Sequence, residues 1–297
     1  MNQGMTSDTL LHIPVLPKEV LSYLNISHNG IYLDGTIGLG GHANLIARNL
    51  STKGHLIGID RDSEALKFTT KRLSSCKSPV SIFHESYHNF ESILDRLGIY
   101  QLNGILLDLG LSSYQMDSNS RGFSYKSNSE LDMRFDKSQK LKASDLLNHS
   151  SFNDLANIIY QYGEERHSRT IAKKIVEKRP LLSVSDLNEA VRLTTHPSKR
   201  NKTLARVFQA LRIKVNEELD KLEIFLSMFI NRLSIGGRII IISFHSLEDR
   251  LVKHAFRALA KNQQLSILTK KPITPSKSEI IHNNRSKSAK LRAGEKI

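Results

Sequence analysis

Hydrophobic and polar positions along the first third of the chain alternate between two periods. IYLD (31–34), HLIGID (55–60), PVSIFH (79–84) and NGILLDLG (103–110) are short, nearly continuous apolar runs of strand length. Between them, HANLIARNL, SEALKFTTKRL (63–73) and FESILDRL (90–97) repeat their apolar residues at helical spacing. In the second of these, Ala65, Leu66, Thr69 and Leu73 share one face. Apolar strands separated by helices predict a parallel sheet covered on both faces.

The alternation stops at LSSYQMDSNSRGFSYKSNSELDMRF (111–135), which is polar, turn-rich and aperiodic. From Ala143 the pattern is helical, through ASDLLNHSSFNDLANIIYQYG, RHSRTIAKKIVEKR, SVSDLNEAVRLTT and KTLARVFQALRI. Ser144 and Ser185 stand as the expected N-caps, each followed closely by an acid. The strand–helix pattern then resumes. EELDKLEIFLSMFINRLSIGG reads as a long amphipathic helix stopped at Gly236-Gly237, and RIIIISF (238–244) as an apolar strand. EDRLVKHAFRALAK follows as a helix and SILTK as a weaker strand. The last twenty residues, rich in Ser, Asn, Lys and Arg, are expected to be mobile unless a partner orders them. The expected fold class is α/β, a mostly parallel, doubly wound, Rossmann-like sheet with an inserted helical domain. Residues 1–118 and 213–297 would form the core and 119–212 the insertion.

Ligands of open parallel sheets bind beyond the carboxyl ends of the strands. Asp34, Asp60, Asp108 and His245 all stand at such ends. Each acid alone could be a turn or cap residue, but together they mark a site. After the first strand, Gly38, Gly40 and Ala43 fit the G-x-G-x-x-G/A pattern, with Asp60 at the spacing of a ribose-binding acid. That pattern serves a dinucleotide such as NAD, and equally a methyl donor that carries adenosine without pyrophosphate. Two strand ends have a similar form: Asp108 precedes Gly110, Ser112 and Ser113, and His245 precedes Ser246, Glu248 and Asp249. A Ser112–His245–Asp108 hydrolase triad is disfavoured by the lack of a G-x-S-x-G elbow. No metal is expected, since His84 and His88 lie four apart with no further ligands clustered near them.

Composition narrows the class. The chain of 297 residues has a single cysteine, Cys76, which excludes an intramolecular disulfide and any Cys-rich metal site. No apolar run approaches the roughly 18 residues that span a bilayer. The start, MNQGMTSDTLLHIPVL, lacks the basic and apolar regions of a secretion signal, so a cytoplasmic protein is expected. The formal net charge of +14 is segregated: residues 119–212 carry +8, residues 270–297 carry +6, and the remainder sums to zero. Such segregation points to a polyanionic partner, nucleic acid above all. Phe123, Tyr125 and Phe135 are candidates for stacking on bases or for anchoring the insertion by hydrophobic contact.

DGTIGLGGH, GILLDLGLSS, RGFSY with ELDMRFD, YGEERHSRTIA, FQALRIKVNEEL, GGRIIIISFHSLEDR and NNRSKSAKLR occur in one order across nearly the whole chain. Together they resemble the MraW (RsmH) family of bacterial 16S ribosomal RNA methyltransferases. The resemblance implies a class I methyltransferase fold with a helical insertion and S-adenosylmethionine as cofactor. It also implies methylation of the 4-amino group of a cytidine near the decoding centre. The partner would be 16S ribosomal RNA or the small ribosomal subunit, with no membrane, and a homodimer is compatible with it.

Carried over residue by residue, the resemblance assigns cofactor binding to Gly40, Gly41, His42, Asp60, Asp108 and Gln115. Tyr87 stands where the family has Phe, which suits packing against the cofactor, and Tyr114 stands where Pro is usual. For catalysis, Asp108 would border cofactor and base, while His245, Glu248 or Asp249 positions the base or accepts its proton. On the residues alone two other functions stay open: an NAD-dependent oxidoreductase and a non-catalytic RNA-binding ribosome assembly factor.

Overall fold

A computed structural model of the chain describes residues 13–111, 116 and 121–297. In chain order it begins with α1 (Pro17–Leu24), β1 (Ile31–Asp34), α2 (Gly41–Asn49), β2 (His55–Asp60), α3 (Ser63–Leu73) and β3 (Val80–His84). Next come α4 (Phe90–Arg96), β4 (Leu102–Asp108), α5 (Ala143–His149), α6 (Phe152–Gly163), α7 (Ser168–Glu177) and α8 (Val184–Arg192). The chain ends with α9 (Arg200–Asn216), α10 (Glu218–Arg232), β5 (Leu233–Ser243), α11 (Ser246–Lys261), β6 (Leu265–Ile267), α12 (Lys277–His282) and β7 (Lys290–Lys296). Two compact units result, Met1–Ser112 with Leu219–Ile297, and Ser113–Glu218. The second takes in the segment expected to be inserted at 119–212.

The first unit is built on one seven-stranded sheet of order β3-β2-β1-β4-β5-β7-β6. The pairs from β3 through β5 are parallel, while β7 runs antiparallel to both β5 and β6. Alternate residues of each strand enter opposite cores, which is why the runs are apolar throughout. Leu33, Ile57, Ile105 and Leu107 pack with Phe90, Phe225, Phe229 and Phe256 on one face. Tyr32, Leu56, Leu106 and Ile240 pack with Val20, Leu24, Ala43 and Ile46 on the other. Strand order reverses between β1 and β4, so a crevice opens at their carboxyl ends.

Three local expectations are corrected. The tail is an inner strand: β7 lies between β5 and β6 and buries Leu291 and Ala293. Its charged residues hid it, because each finds a partner within the unit. Arg292 pairs with Asp249 at 2.7 Å, Glu295 with Arg238 at 2.7 Å, and Lys296 Nζ donates to the Ile230 and Leu233 carbonyls at 2.8 and 2.6 Å. Gly236-Gly237 is not a helix stop. Helix α10 ends at Arg232, Leu233 already pairs with Leu102, and Gly236 (φ 75°) lies where the β4–β5 register shifts. The N-caps also move. Ser183, not Ser185, caps α8, accepting from the Asp186 N–H at 3.2 Å while Asp186 accepts from the Ser183 N–H at 2.8 Å. Helix α5 starts after Lys142, whose N–H donates to Asp145 at 2.9 Å, leaving Ser144 inside the helix.

In the second unit α9 packs along α6, and Gly163 is required there because a Cβ would sit 2.7 Å from the Arg206 carbonyl. The segment before the helices is tied down by its own polar groups. Arg121 is buried and donates to the Phe135 carbonyl at 2.8 Å, and the Asn216 amide donates to the Met133 carbonyl at 2.7 Å. Phe123 is buried and stacks on Phe135 at 5.6 Å, while Tyr125 meets Phe208 edge-on at 6.0 Å. Those rings serve as hydrophobic anchors in this arrangement. Among the described residues no helix is long and apolar enough to cross a membrane.

Candidate active site

The crevice between β1 and β4 collects most of the residues singled out above. Strand β1 delivers Asp34, and Gly35 then donates its N–H to the Leu106 carbonyl of β4 at 2.9 Å. Any Cβ at Gly35 would collide with Leu107. Thr36 follows, its hydroxyl oxygen accepting from the Asp108 N–H at 2.6 Å and its N–H donating to Asp34 at 3.2 Å. The ends of the two strands are thus bolted together through one threonine. Gly38 (φ 49°) and Gly40 (φ 76°) then turn the chain into α2 in a conformation that side-chain-bearing residues rarely adopt.

Asp60, at the end of β2, holds this loop from the other side. Its Oδ2 accepts from the Gly38 N–H at 2.7 Å and its Oδ1 from the Asp62 N–H at 2.9 Å. The Arg61 N–H also bonds this carboxyl, and since a carboxylate has about four acceptor sites, capacity remains for a ligand hydroxyl. Two residues of α3 complete the cradle, and sequence reading missed both as site residues. Thr69 donates to the Gly38 carbonyl at 2.5 Å, and Arg72 donates to the Leu39 carbonyl at 2.8 Å. They hold those carbonyls against α3. Thr69 had shown only as part of an apolar helical face, so its hydroxyl carried no signal. No side chain caps α2, whose first turn also lacks an acid, so its N-terminal N–H groups favour an anionic ligand group.

Three carboxyl groups therefore stand at the ends of neighbouring strands, and their surroundings resist ionisation. Burial pushes Asp34 up to about 8, with the negative charges of Asp108 and Asp60 adding to it against the Thr36 N–H. Burial likewise raises Asp108 to about 7, assisted by the charge of Glu248 and opposed by a hydrogen bond from the Gly110 N–H. Asp60 reaches about 6, burial outweighing the N–H groups of Asp62 and Gly38. His42 in the first turn of α2 is buried, with Nε2 3.7 Å from Asp108 Oδ2. Asp108 Oδ1 is buried with no hydrogen-bond partner among the described residues. An enclosed acceptor of this kind is costly unless a ligand satisfies it.

His245 and Glu248 form the N-cap of α11. His245 Nδ1 accepts from the Glu248 N–H at 3.4 Å, and Glu248 Oε2 accepts from the Phe244 N–H at 2.9 Å. The second imidazole nitrogen lies 3.0 Å from Glu248 Oε1. Both side chains are nearly enclosed, so this capping box fixes their orientation one strand away from Asp108. Asp249 is committed elsewhere, to Arg292 and to Lys290 at 3.5 Å. Burial would raise its pKa, but those cations hold it below the usual range. Tyr87 sits just after β3, its Cβ beside Gly35 and its ring edge-on to Phe225 at 5.7 Å. Gln115, with Ser112, Ser113 and Tyr114, lies outside the described residues.

The sequence model of the MraW methylase family matches residues 9–297. The chain belongs to the MraW methylase family. It is 45% identical over 305 residues to ribosomal RNA small subunit methyltransferase H of Caldicellulosiruptor saccharolyticus, covering 96% of this chain and 99% of the relative. The protein of the same name from Thermosipho africanus is 47% identical over 290 residues, covering 96% and 98%. A crystal structure from Clostridium thermocellum, provisionally assigned as an rRNA-methylase, superposes with a TM-score of 0.50 at 14% identity, covering 97% of this chain and 100% of that one. That likeness concerns the fold, which is the Rossmann-like α/β fold of class I methyltransferases, with S-adenosylmethionine as the cofactor of the family.

Proposed function

We propose that this MraW-family chain methylates the 4-amino group of a cytidine in 16S ribosomal RNA near the decoding centre, using S-adenosylmethionine. The observation that carries the reading is the group of three ionisation-resistant carboxyls, Asp34, Asp60 and Asp108, around a glycine loop at the β1/β4 switch. Nothing in a pyrophosphate-bearing dinucleotide calls for three acids here, whereas a cationic ligand relieves them. The small-subunit RNA substrate rests on the naming of relatives 45–47% identical to this chain. The cytidine amine and the decoding centre rest on the motif resemblance.

When bound, S-adenosylmethionine supplies a methyl group activated by its positively charged sulfur. The loop from Gly38 to His42 would hold it through backbone groups, Asp60 through a ribose hydroxyl, and Asp34 and Asp108 by opposing its positive charge. The 4-amino nitrogen is a weak nucleophile because its lone pair is shared with the ring. Asp108 Oδ1, as an acceptor, can hold one amino hydrogen, localise the lone pair and take the proton that must leave. His245 and Glu248, locked by their capping box, would present a fixed wall against which the base is oriented. A base drawn from folded RNA has to be turned out to reach them.

The raised carboxyls give this reading a pH signature. Each favours its neutral form in the folded, ligand-free protein relative to an ordinary value of 3.8. The stability they contribute is therefore full below about pH 4 and is lost as pH rises through about 6 to 8. A cationic ligand reverses the preference and expels protons. Affinity for S-adenosylmethionine is expected to rise between about pH 6 and 7.5, more than affinity for S-adenosylhomocysteine, whose sulfur is uncharged. Calorimetry in two buffers of different ionisation enthalpy measures both affinity and proton release. A flat or opposite dependence would remove the carboxyls from contact with the positive charge. The function itself is tested by transfer of labelled methyl to immature small-subunit particles, with large-subunit particles as the control.

A further inference from the structure

Four consecutive carbonyls in the loop between β1 and α2 are engaged. Those of Ile37 and Gly40 accept within the turn, from the Gly40 N–H at 2.8 Å and the Asn44 N–H at 3.0 Å. Those of Gly38 and Leu39 are drawn out of the turn onto α3, by Thr69 at 2.5 Å and Arg72 at 2.8 Å. The next threonine shows how far Thr69 departs from habit. Thr70 makes the ordinary helical bond, to the Leu66 carbonyl four residues back at 2.9 Å. Thr69 stands 3.2 Å from its corresponding partner, Ala65, and closer to Gly38, 31 residues away in the chain.

The N–H groups of the same stretch are left open. Among the described residues those of Leu39, Gly41 and Ala43 donate to nothing, although all three residues are buried. Gly41 and Ala43 owe this to their place in the first turn of a helix. Leu39 precedes the helix, and its N–H belongs to the peptide whose carbonyl Thr69 holds. A trans peptide points its N–H away from its C=O, so a carbonyl held on α3 aims the Leu39 N–H away from α3. Gly38 (φ 49°) has no side chain to stop that peptide from turning over. Turned over, it would present an oxygen where the N–H now stands. Buried N–H groups without partners are rare, and several together call for an acceptor from outside. Neither a side-chain cap nor an acid in the first turn of α2 supplies one.

We propose that Thr69 and Arg72 are positioning residues for the methyl donor: by holding the Gly38 and Leu39 carbonyls on α3, they keep the Leu39 N–H turned toward the donor's carboxylate. The inference rests on the placement of S-adenosylmethionine in this crevice under the function proposed above. The carboxylate is repelled by the acids at the strand ends, so the anionic end of the ligand depends on backbone donors. Charge-assisted bonds from such donors are stronger than neutral ones, and an oxygen in their place would repel.

Calorimetry tests this by comparing S-adenosylhomocysteine with its decarboxylated analogue, which keeps the adenosine, the sulfur and the amine. Thr69→Val preserves the shape of the side chain but offers the Gly38 carbonyl no donor. The variant is expected to bind S-adenosylhomocysteine about tenfold more weakly, and the analogue within about twofold of wild type. Thr69→Ser restores the wild-type ratio of the two affinities. Thr70→Val, which deletes a hydroxyl from the next position of the same helix, leaves both affinities unchanged. Arg72→Met repeats the Thr69→Val pattern and Arg72→Lys keeps the wild-type one. These two carry the test if Thr69→Val does not fold. A merely structural role would lower the melting temperature and both affinities together, and that result overturns the proposal. An unchanged ratio in Thr69→Val and Arg72→Met, with a wild type that binds S-adenosylhomocysteine, overturns this proposal alone. A wild-type chain that binds neither ligand takes the cofactor out of the crevice, and the proposal with it.

Discussion

Asp108→Asn is expected to lower methyl transfer by about 10²–10⁴-fold while leaving the protein folded. The substitution preserves the shape of the side chain and its place at the end of β4. The backbone N–H that donates to Thr36 is untouched, so the loop stays bolted to the strand. What disappears is an acceptor that can take a proton, at the one position where a buried carboxylate oxygen lacks a partner among the described residues. The pH profile sharpens the test. A base at about 7 in the ligand-free protein makes kcat/KM rise through neutrality in the wild type, and the part of that rise due to Asp108 should be missing in the Asn variant. His245→Ala should behave differently, because His245 caps α11: about 1 kcal/mol of stability is lost along with a smaller fall in turnover. Turnover unchanged in both variants, with unchanged cofactor affinity, would dismiss the catalytic assignment.

A chain ended at Ala289 is expected not to fold its first unit. Strand β7 pairs with β5 at six positions, from Arg238↔Glu295 to Ser243↔Lys290, and lies between β5 and β6 in the sheet order. Its removal exposes the inner edge of β5, uncovers the core that Leu291 and Ala293 join, and takes from Asp249 and Arg238 their ion-pair partners Arg292 and Glu295. A domain stable by roughly 5–15 kcal/mol does not survive losses of that kind. Leu291→Ala alone should cost about 2–5 kcal/mol, since the side chain is fully enclosed. Circular dichroism melts and limited proteolysis read both effects. A truncated chain that melts cooperatively near the wild-type temperature would show that β7 adds little to the fold.

The contrast between β7 and the other strands shows what the sequence could and could not reveal. The strands from IYLD to RIIIISF are covered on both faces by helices, so burial wrote itself into their composition. KLRAGEK forms a strand through pairing and through specific ion pairs at long sequence separation, neither of which leaves a period. At the site, Asp34, Asp60, Asp108 and the glycines were legible because strand ends and positive-φ turns restrict residue choice. Thr69 and Arg72 were not, because their contacts with the loop are set by how α3 packs, thirty-odd residues along the chain. His245 and Glu248 were legible as a pair, but only the structure shows that each supports the other through the start of α11.

The most direct test of the proposed function is the chemical identity of the product. Immature small-subunit particles would be incubated with the wild-type chain and methyl-labelled S-adenosylmethionine, and the RNA digested to nucleosides for mass spectrometry. The reading predicts label in a single nucleoside, 4-N-methylcytidine, mapping to one site of 16S ribosomal RNA, and none with Asp108→Asn beyond a residual trace. Label at a ring carbon, on a ribose or in another base, or no transfer by a chain that binds S-adenosylmethionine normally, would contradict it.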